Sequence, residues 1–138
     1  MIYIDSNVFI YAVLNTEFIG NEARSILSQV QNGQIKASTS ALTFDELTWI
    51  VKKNRSRNDS LLTGEAFLNM SGLKLVDVDT NVLAGAIAIM KKYSLDPRDS
   101  IHAASAIIEK AEVVISEDKD FDKIRGIKRR GIVSYGES

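Results

Sequence analysis

The sequence predicts an α/β fold, a three-layer sandwich of helices around a mostly parallel central sheet, and three observations lead there. Short apolar runs at 1–4, 35–39, 73–78 and 112–116 alternate with longer stretches in which apolar residues recur at helical spacing. Strands buried on both faces and joined by helices read this way. The chain has 138 residues, enough for one compact domain with a real core. It shows no internal repeat, low-complexity segment or break in composition, so residues 1–138 are read as a single domain.

The elements follow in order. Residues 1–4 form an apolar run closed by Asp5-Ser6-Asn7, a buried strand entering a short helix over 8–14. Ala23, Ile26, Leu27 and Val30 share a helical face across 22–30, and Asn32-Gly33 stops that helix. A strand is expected at 35–39. Phe44, Leu47, Ile50 and Val51 then form one face of the next helix. Beyond the polar stretch 52–60 a further helix spans 61–70. Residues 73–78 alternate as a strand, and 82–93 return to helical spacing. Asp96-Pro97 marks a helix start, with Asp as cap and Pro at the first helical position. That helix runs to about Lys110. Val113-Val114-Ile115 is a third clear buried strand, and a short strand near 132–135 is expected to close the fold.

Composition narrows the chemistry. The absence of Cys excludes disulfides, thiol nucleophiles and thiolate-bound zinc. A single histidine, His102, excludes any site that needs two imidazoles. Catalysis would therefore rest on carboxylates, hydroxyls, Lys or Arg. No basic segment followed by a long apolar run opens the chain, and no stretch approaches the roughly 18 apolar residues of a membrane span. A cytoplasmic protein without membrane association is expected. The net charge of −1 supplies no basic excess, so a polyanion would have to be held by local patches or by a metal.

The acidic residues are the informative ones. In a parallel sheet the strand C-termini and the following helix N-termini share one edge, where ligands bind. Asp5 ends the first strand, Asp118 follows 113–116, and Glu46 lies near the start of the helix after the second strand. Topology alone brings these three together. The rule does not place Asp99, whose helix follows another helix. Each acid also has a local explanation. Asp5 caps a helix, and Glu46 completes a capping box in Thr43-Phe44-Asp45-Glu46. Asp99 complements a helix dipole, while Asp118 and Asp120 lie in a polar turn. Jointly they are harder to dismiss, because carboxylates gathered at one edge repel unless a cation offsets them. Mg²⁺ or Mn²⁺ suits such oxygen donors, and metal-assisted phosphoryl transfer is the chemistry that follows.

At this point four segments resemble a known pattern. Ile4-Asp5-Ser6-Asn7-Val8-Phe9-Ile10, Glu46-Leu47, Arg98-Asp99-Ser100-Ile101-His102-Ala103-Ala104 and Ser116-Glu117-Asp118-Lys119-Asp120-Phe121 resemble, in order and spacing, the PIN-domain nucleases. Length and the lack of an extra domain are similar to the VapC-type toxins of prokaryotic toxin–antitoxin pairs. The resemblance implies a metal-dependent endoribonuclease that leaves a 5′-phosphate, with RNA as substrate. It implies Asp5 and Asp99 as the firmest metal ligands, with Glu46 and Asp118 completing the acidic site. Asn7 and Ser116 would orient those carboxylates. Asp120 competes with Asp118 for the fourth acidic position, and Asp118 is favoured because the Asp before Phe often serves the local turn. A homodimer and a small antitoxin whose segment covers the acidic groove are also implied.

Other residues read more plainly. His102 lies one helical turn after Asp99, and a packing or hydrogen-bonding role is favoured over that of a general base. The basic runs 52–57 and 128–130 read as a solvated helix end and an exposed loop rather than as RNA contacts. Trp49 reads as a core residue or an oligomer contact. The alternatives to a toxin are a host RNA-processing nuclease of the same fold, a catalytically inert binding module, and a phosphomonoesterase. The last is disfavoured by Asn at position 7, where a second Asp is common, and by the lack of a Gly-rich phosphate loop.

Overall fold

A computed structural model of the chain describes residues 1–136. Strands β1 (Ile2–Ile4), β2 (Ala37–Ser40), β3 (Leu73–Val76), β4 (Val113–Ile115) and β5 (Arg129–Arg130) form one sheet in the order β3-β2-β1-β4-β5. Every pairing in it is parallel, in line with the mostly parallel sheet expected. Helices α1 (Ser6–Leu14), α2 (Phe18–Gln31), α3 (Leu42–Asn54), α4 (Arg57–Leu68), α5 (Thr80–Tyr93), α6 (Pro97–Ile108) and α7 (Ile132–Gly136) surround it, with a 3₁₀ turn at Lys119–Lys123.

The two faces of the sheet carry separate cores. On one side Ile4, Val8, Phe9, Ile26, Val30, Leu47, Val51 and Phe67 pack together from β1 and helices α1 to α4. Each is essentially removed from water, and such a side chain contributes about 1.5–3 kcal/mol. On the other side Val82, Ala86 and Ile89 of α5 meet Ala103 and Ala104 of α6, with Phe121 beneath. Tyr3 and Val114 reach α6 through Ala106, whose small side chain lets the helix lie close to the sheet.

The α5–α6 hairpin explains where Asp99 goes. Asp79, Asn81 and Val82 at the start of α5 border the same surface depression as Ile108 and Glu109 at the end of α6. The two helices are therefore antiparallel. Glu109 pairs with Lys74 of β3 at 2.8 Å, so α6 must begin at the opposite end, where β1 and β4 finish. An extra helix reverses the chain once more than a simple crossover does.

Three local expectations are corrected. The segment 132–135, read as a closing strand, is helix α7, and the closing strand is Arg129–Arg130. Ile132 is fully buried in the first core, and its N–H donates to Glu117 Oε2 at 2.8 Å, a long-range cap invisible to local propensity. Thr43-Phe44-Asp45-Glu46 is not a capping box: α3 starts at Leu42, whose N–H donates to Ser40 Oγ at 3.0 Å. Thr43 instead shares a 2.8 Å hydrogen bond with Thr39. The basic run 128–130 is not a free loop, since Arg129 is anchored in β5 by its pair with Asp122 at 2.9 Å.

Candidate active site

The sheet edge is assembled around one hydroxyl. Asp5 leaves β1 in extended conformation and caps α1, its Oδ1 accepting from Ser6 N at 2.8 Å. Its Oδ2 accepts from Ser116 Oγ at 2.6 Å and from Asn7 Nδ2 at 3.1 Å. Ser116, at the end of β4, in turn accepts from Asn7 Nδ2 at 3.1 Å and from Asp118 N at 3.0 Å. The serine thus spends its single proton on Asp5 and both lone pairs on N–H donors, which uses its full hydrogen-bonding capacity. Asn7 Oδ1 receives Glu117 N at 3.4 Å. Asp5, Asn7, Ser116 and Asp118 form one connected unit across β1 and β4.

Asp118 begins the 3₁₀ turn, its Oδ1 accepting from Asp120 N at 2.9 Å, and fully buried Phe121 anchors that turn to the second core. From the start of α6, Asp99 approaches the same turn. One carboxylate oxygen from each of Asp99, Asp118 and Asp120 lies within 4.8 Å of the others. Burial and then the charge of Asp118 push the Asp99 pKa up to about 7. Asp120 is divided between this group and Lys123, 3.2 Å away.

Glu46 reaches the edge from α3 but is held differently. Its Oε1 lies 2.6 Å from His102 Nε2, and His102 Nδ1 lies 2.7 Å from the Tyr3 hydroxyl. His102 Nε2 is also 3.6 Å from Asp5 Oδ1. Burial alone would lower the pKa of this imidazole. The hydrogen bond to Glu46 and the charges of Asp5, Glu46 and Asp99 outweigh that effect and raise it. Both ring nitrogens are thus engaged beneath the acids, whose charges favour the imidazolium form. Burial pushes the Asp5 carboxyl up, opposed by His102 and by the Ser116 and Ser6 hydrogen bonds.

The residues singled out in the sequence sort as follows. Asp99, Asp118 and Asp120 share oxygens at metal-binding separation, while Asp5 is tied to them through Ser116. Glu46 joins through His102. Asn7 and Ser116 make the orienting hydrogen bonds. His102 has the hydrogen-bonding role its position suggests, with both ring nitrogens engaged, and it also links Glu46 to β1, which the sequence does not announce. The only sequence signal was its position one turn after Asp99. Tyr3, buried opposite it, gave no signal at all. Trp49 is not a core residue: it is 59% exposed.

Three oxygen ligands on a repelling cluster are a donor set that suits a hard divalent cation. Among the described residues no helix is long and apolar enough to cross a membrane. A curated relative, ribonuclease VapC2 of Methanocaldococcus jannaschii, is 23% identical over 135 residues, covering 89% of this chain and 88% of that protein. A toxin–antitoxin complex from Klebsiella pneumoniae contains a similar chain, with a TM-score of 0.67 at 18% identity, covering 92% of this chain and 95% of that one. VapBC2 from Rickettsia felis, bound to a DNA fragment from its promoter, matches with a TM-score of 0.75 at 18% identity, covering 95% and 98%. The PIN domain family model matches residues 2–127, nearly the whole length, and this chain belongs to that family.

Proposed function

We propose that this protein is an endoribonuclease that hydrolyses RNA phosphodiester bonds with Mg²⁺ or Mn²⁺ at a site of four carboxylates, Asp5, Glu46, Asp99 and Asp118. The observation that carries the reading is the gathering of the Asp99, Asp118 and Asp120 carboxylates within 4.8 Å, where burial and then the charge of Asp118 push the Asp99 pKa up to about 7. A cluster of this kind stores negative charge that a divalent cation offsets. Asp5, Asp99 and Asp118 would hold the ion. When bound, it supplies a water of lowered pKa and offsets the charge on the phosphate.

The remaining steps belong to the chain. Ser116 and Asn7 hold Oδ2 of Asp5 while Ser6 N holds Oδ1, which fixes the angle at which that carboxylate faces the groove. His102 restrains Glu46, leaving its second oxygen to accept a proton from an attacking water. The Asp120 N–H holds Asp118 Oδ1 in the turn, and its carboxylate, shared with Lys123, would assist beside the four from the rim of the cluster.

The biological role that fits is the toxin of a type II toxin–antitoxin pair, acting in the cytoplasm as a homodimer. Support comes from the curated relative named as a VapC ribonuclease and from neighbours solved as toxin–antitoxin complexes. An apolar depression lined by Phe9, Val13, Leu27, Leu47, Leu62 and Phe67 opens between the helices of the first core, and an antitoxin helix would dock its apolar face there. The test is incubation of purified protein with a mixed pool of structured RNAs in Mn²⁺, Mg²⁺ or EDTA, beside an Asp5→Asn/Asp99→Asn double variant. Cleavage that requires metal and vanishes in the variant supports the reading. Metal-independent cleavage that persists in the variant rejects it.

A further inference from the structure

Next to the acids lies a feature that hydrolysis itself does not use. Trp49 is the only tryptophan in the chain, and it stands 59% exposed on α3, one turn beyond Glu46. Three residues of helix advance about 4.5 Å, so the indole sits close beside the carboxylate along the helix axis. Trp49, Glu46 and Arg98 line one depression. A second depression is lined by Glu46, Arg98 and Asp99. Arg98 and Glu46 therefore border a continuous path from the acidic cluster to the indole.

The charges along this path are informative. Arg98 is exposed and adjoins Asp99, yet among the described residues its guanidinium makes no hydrogen bond or ion pair. A guanidinium left unpaired among carboxylates is free to meet a phosphate, which it can grip through two parallel hydrogen bonds. Lys52, a further turn along α3, places its ammonium 6.0 Å from the indole centroid. The exposed face of α3 thus runs from acid to aromatic to base.

We propose that Trp49 and Arg98 form a nucleotide subsite flanking the cleavage centre, in which an unpaired RNA base stacks on the indole and its neighbouring phosphate meets Arg98. The proposal rests on the reading of the protein as a ribonuclease. Stacking tolerates any base, since each has a π-face, so the subsite would favour single-stranded over paired RNA rather than a given letter. A second copy of the chain is the competing occupant. Unpaired Arg98 and Lys52 beside the indole, together with continuity to Glu46, favour a polyanion over it.

The single tryptophan makes the test direct. A short, end-labelled, random-sequence oligoribonucleotide is titrated with Ca²⁺ in place of Mg²⁺ or Mn²⁺, and its intactness is checked by electrophoresis. Label anisotropy reports binding anywhere on the protein, and Trp49 emission reports binding at the indole. The expected result is a saturable fall in emission in step with the anisotropy. Trp49→Ala and Arg98→Ala each weaken binding about tenfold, as loss of one stacked base or one charged contact does, and Trp49→Phe retains most of it. These positions are exposed, so circular dichroism should show the variants folded. Anisotropy that saturates while emission stays constant overturns the subsite and leaves the ribonuclease reading standing. An absence of anisotropy change overturns both. If Trp49→Ala converts a dimer to a monomer by light scattering while RNA affinity is unchanged, the surface belongs to a second copy and the subsite is rejected.

Discussion

Asp99 has an ordinary carboxyl pKa of 3.8 when unfolded and is pushed up to about 7 in the fold, by burial first and by Asp118 second. The unfolded chain ionises it more readily, so this group costs the metal-free protein stability as pH rises. The cost is absent below about pH 4 and complete above about pH 7. Asp99→Asn removes it, and because the side chain is only half-buried the gain is held to a few degrees in Tm. At about pH 8 the metal-free variant is expected to melt higher than the native chain, with no difference near pH 4. Mn²⁺ should raise the native Tm at the higher pH and the variant's much less. Differential scanning calorimetry across pH checks both, and a lower variant Tm at the higher pH would refute the account. His102 makes the opposite case. Replacing it by Ala leaves the Tyr3 hydroxyl and the Glu46 carboxylate without their partner and opens a cavity. The expected cost is about 2–4 kcal/mol, read from the urea midpoint. His102→Gln, which keeps a donor towards Glu46, should lose less.

At the scale of elements, much was legible because local chemistry and tertiary structure agree. The apolar runs at 1–4, 73–78 and 112–116 contain strands β1, β3 and β4, Asp5 does cap α1, and Pro97 does open α6. Where they disagree, a distant partner decides. Ile132-Val133 has the β-branched character of a strand, yet burial of Ile132 and the Glu117 cap turn it into helix. Glu46 has the spacing of a capping box, yet its carboxylate is taken by His102, 56 residues away. Asp99 was invisible to the sheet-edge rule because a helical hairpin, not a crossover, delivers it. The turn between α1 and α2 carries a further constraint of this kind. Asn15 Oδ1 accepts from Glu17 N at 2.8 Å and Gly20 N at 3.1 Å, and a Cβ on Gly20 would lie 2.0 Å from the Asn15 carbonyl oxygen. Backbone cannot yield there as a flexible side chain would. Gly20→Ala is expected to separate α1 from α2 and destabilise the chain by about 2–4 kcal/mol. Urea denaturation checks the prediction, and a change below about 0.5 kcal/mol would show that the turn can open at no cost.

At the scale of the whole molecule, the charge distribution sets how an RNA could be met. The net charge of −1 gives no general attraction, and the sheet edge is acidic. The exposed cations Lys52, Lys53, Arg55 and Arg57 run from the end of α3 through the turn to the start of α4, away from the acids along the helix. An RNA reaching the site must therefore cross from a basic approach to an acidic destination. Two consequences can be separated by measurement. First, only a few phosphates find a cation, and each contributes about −0.7 to the slope of log affinity against log salt for a single strand. Two or three contacts predict a slope of about −1.5 to −2, far shallower than that of a protein with a continuous basic face. Second, the acids repel the phosphate nearest the cleavage position unless a cation offsets them, so metal should strengthen binding as well as permit cleavage. Replacing Ca²⁺ by EDTA is expected to weaken RNA binding about tenfold, equivalent to 1.4 kcal/mol. Asp99→Asn, with less charge to offset, should show a smaller difference. Anisotropy titrations over a range of salt concentrations test both parts. A steep slope with no effect of EDTA would mean that RNA is held on the basic end of α3 alone and does not reach the acids.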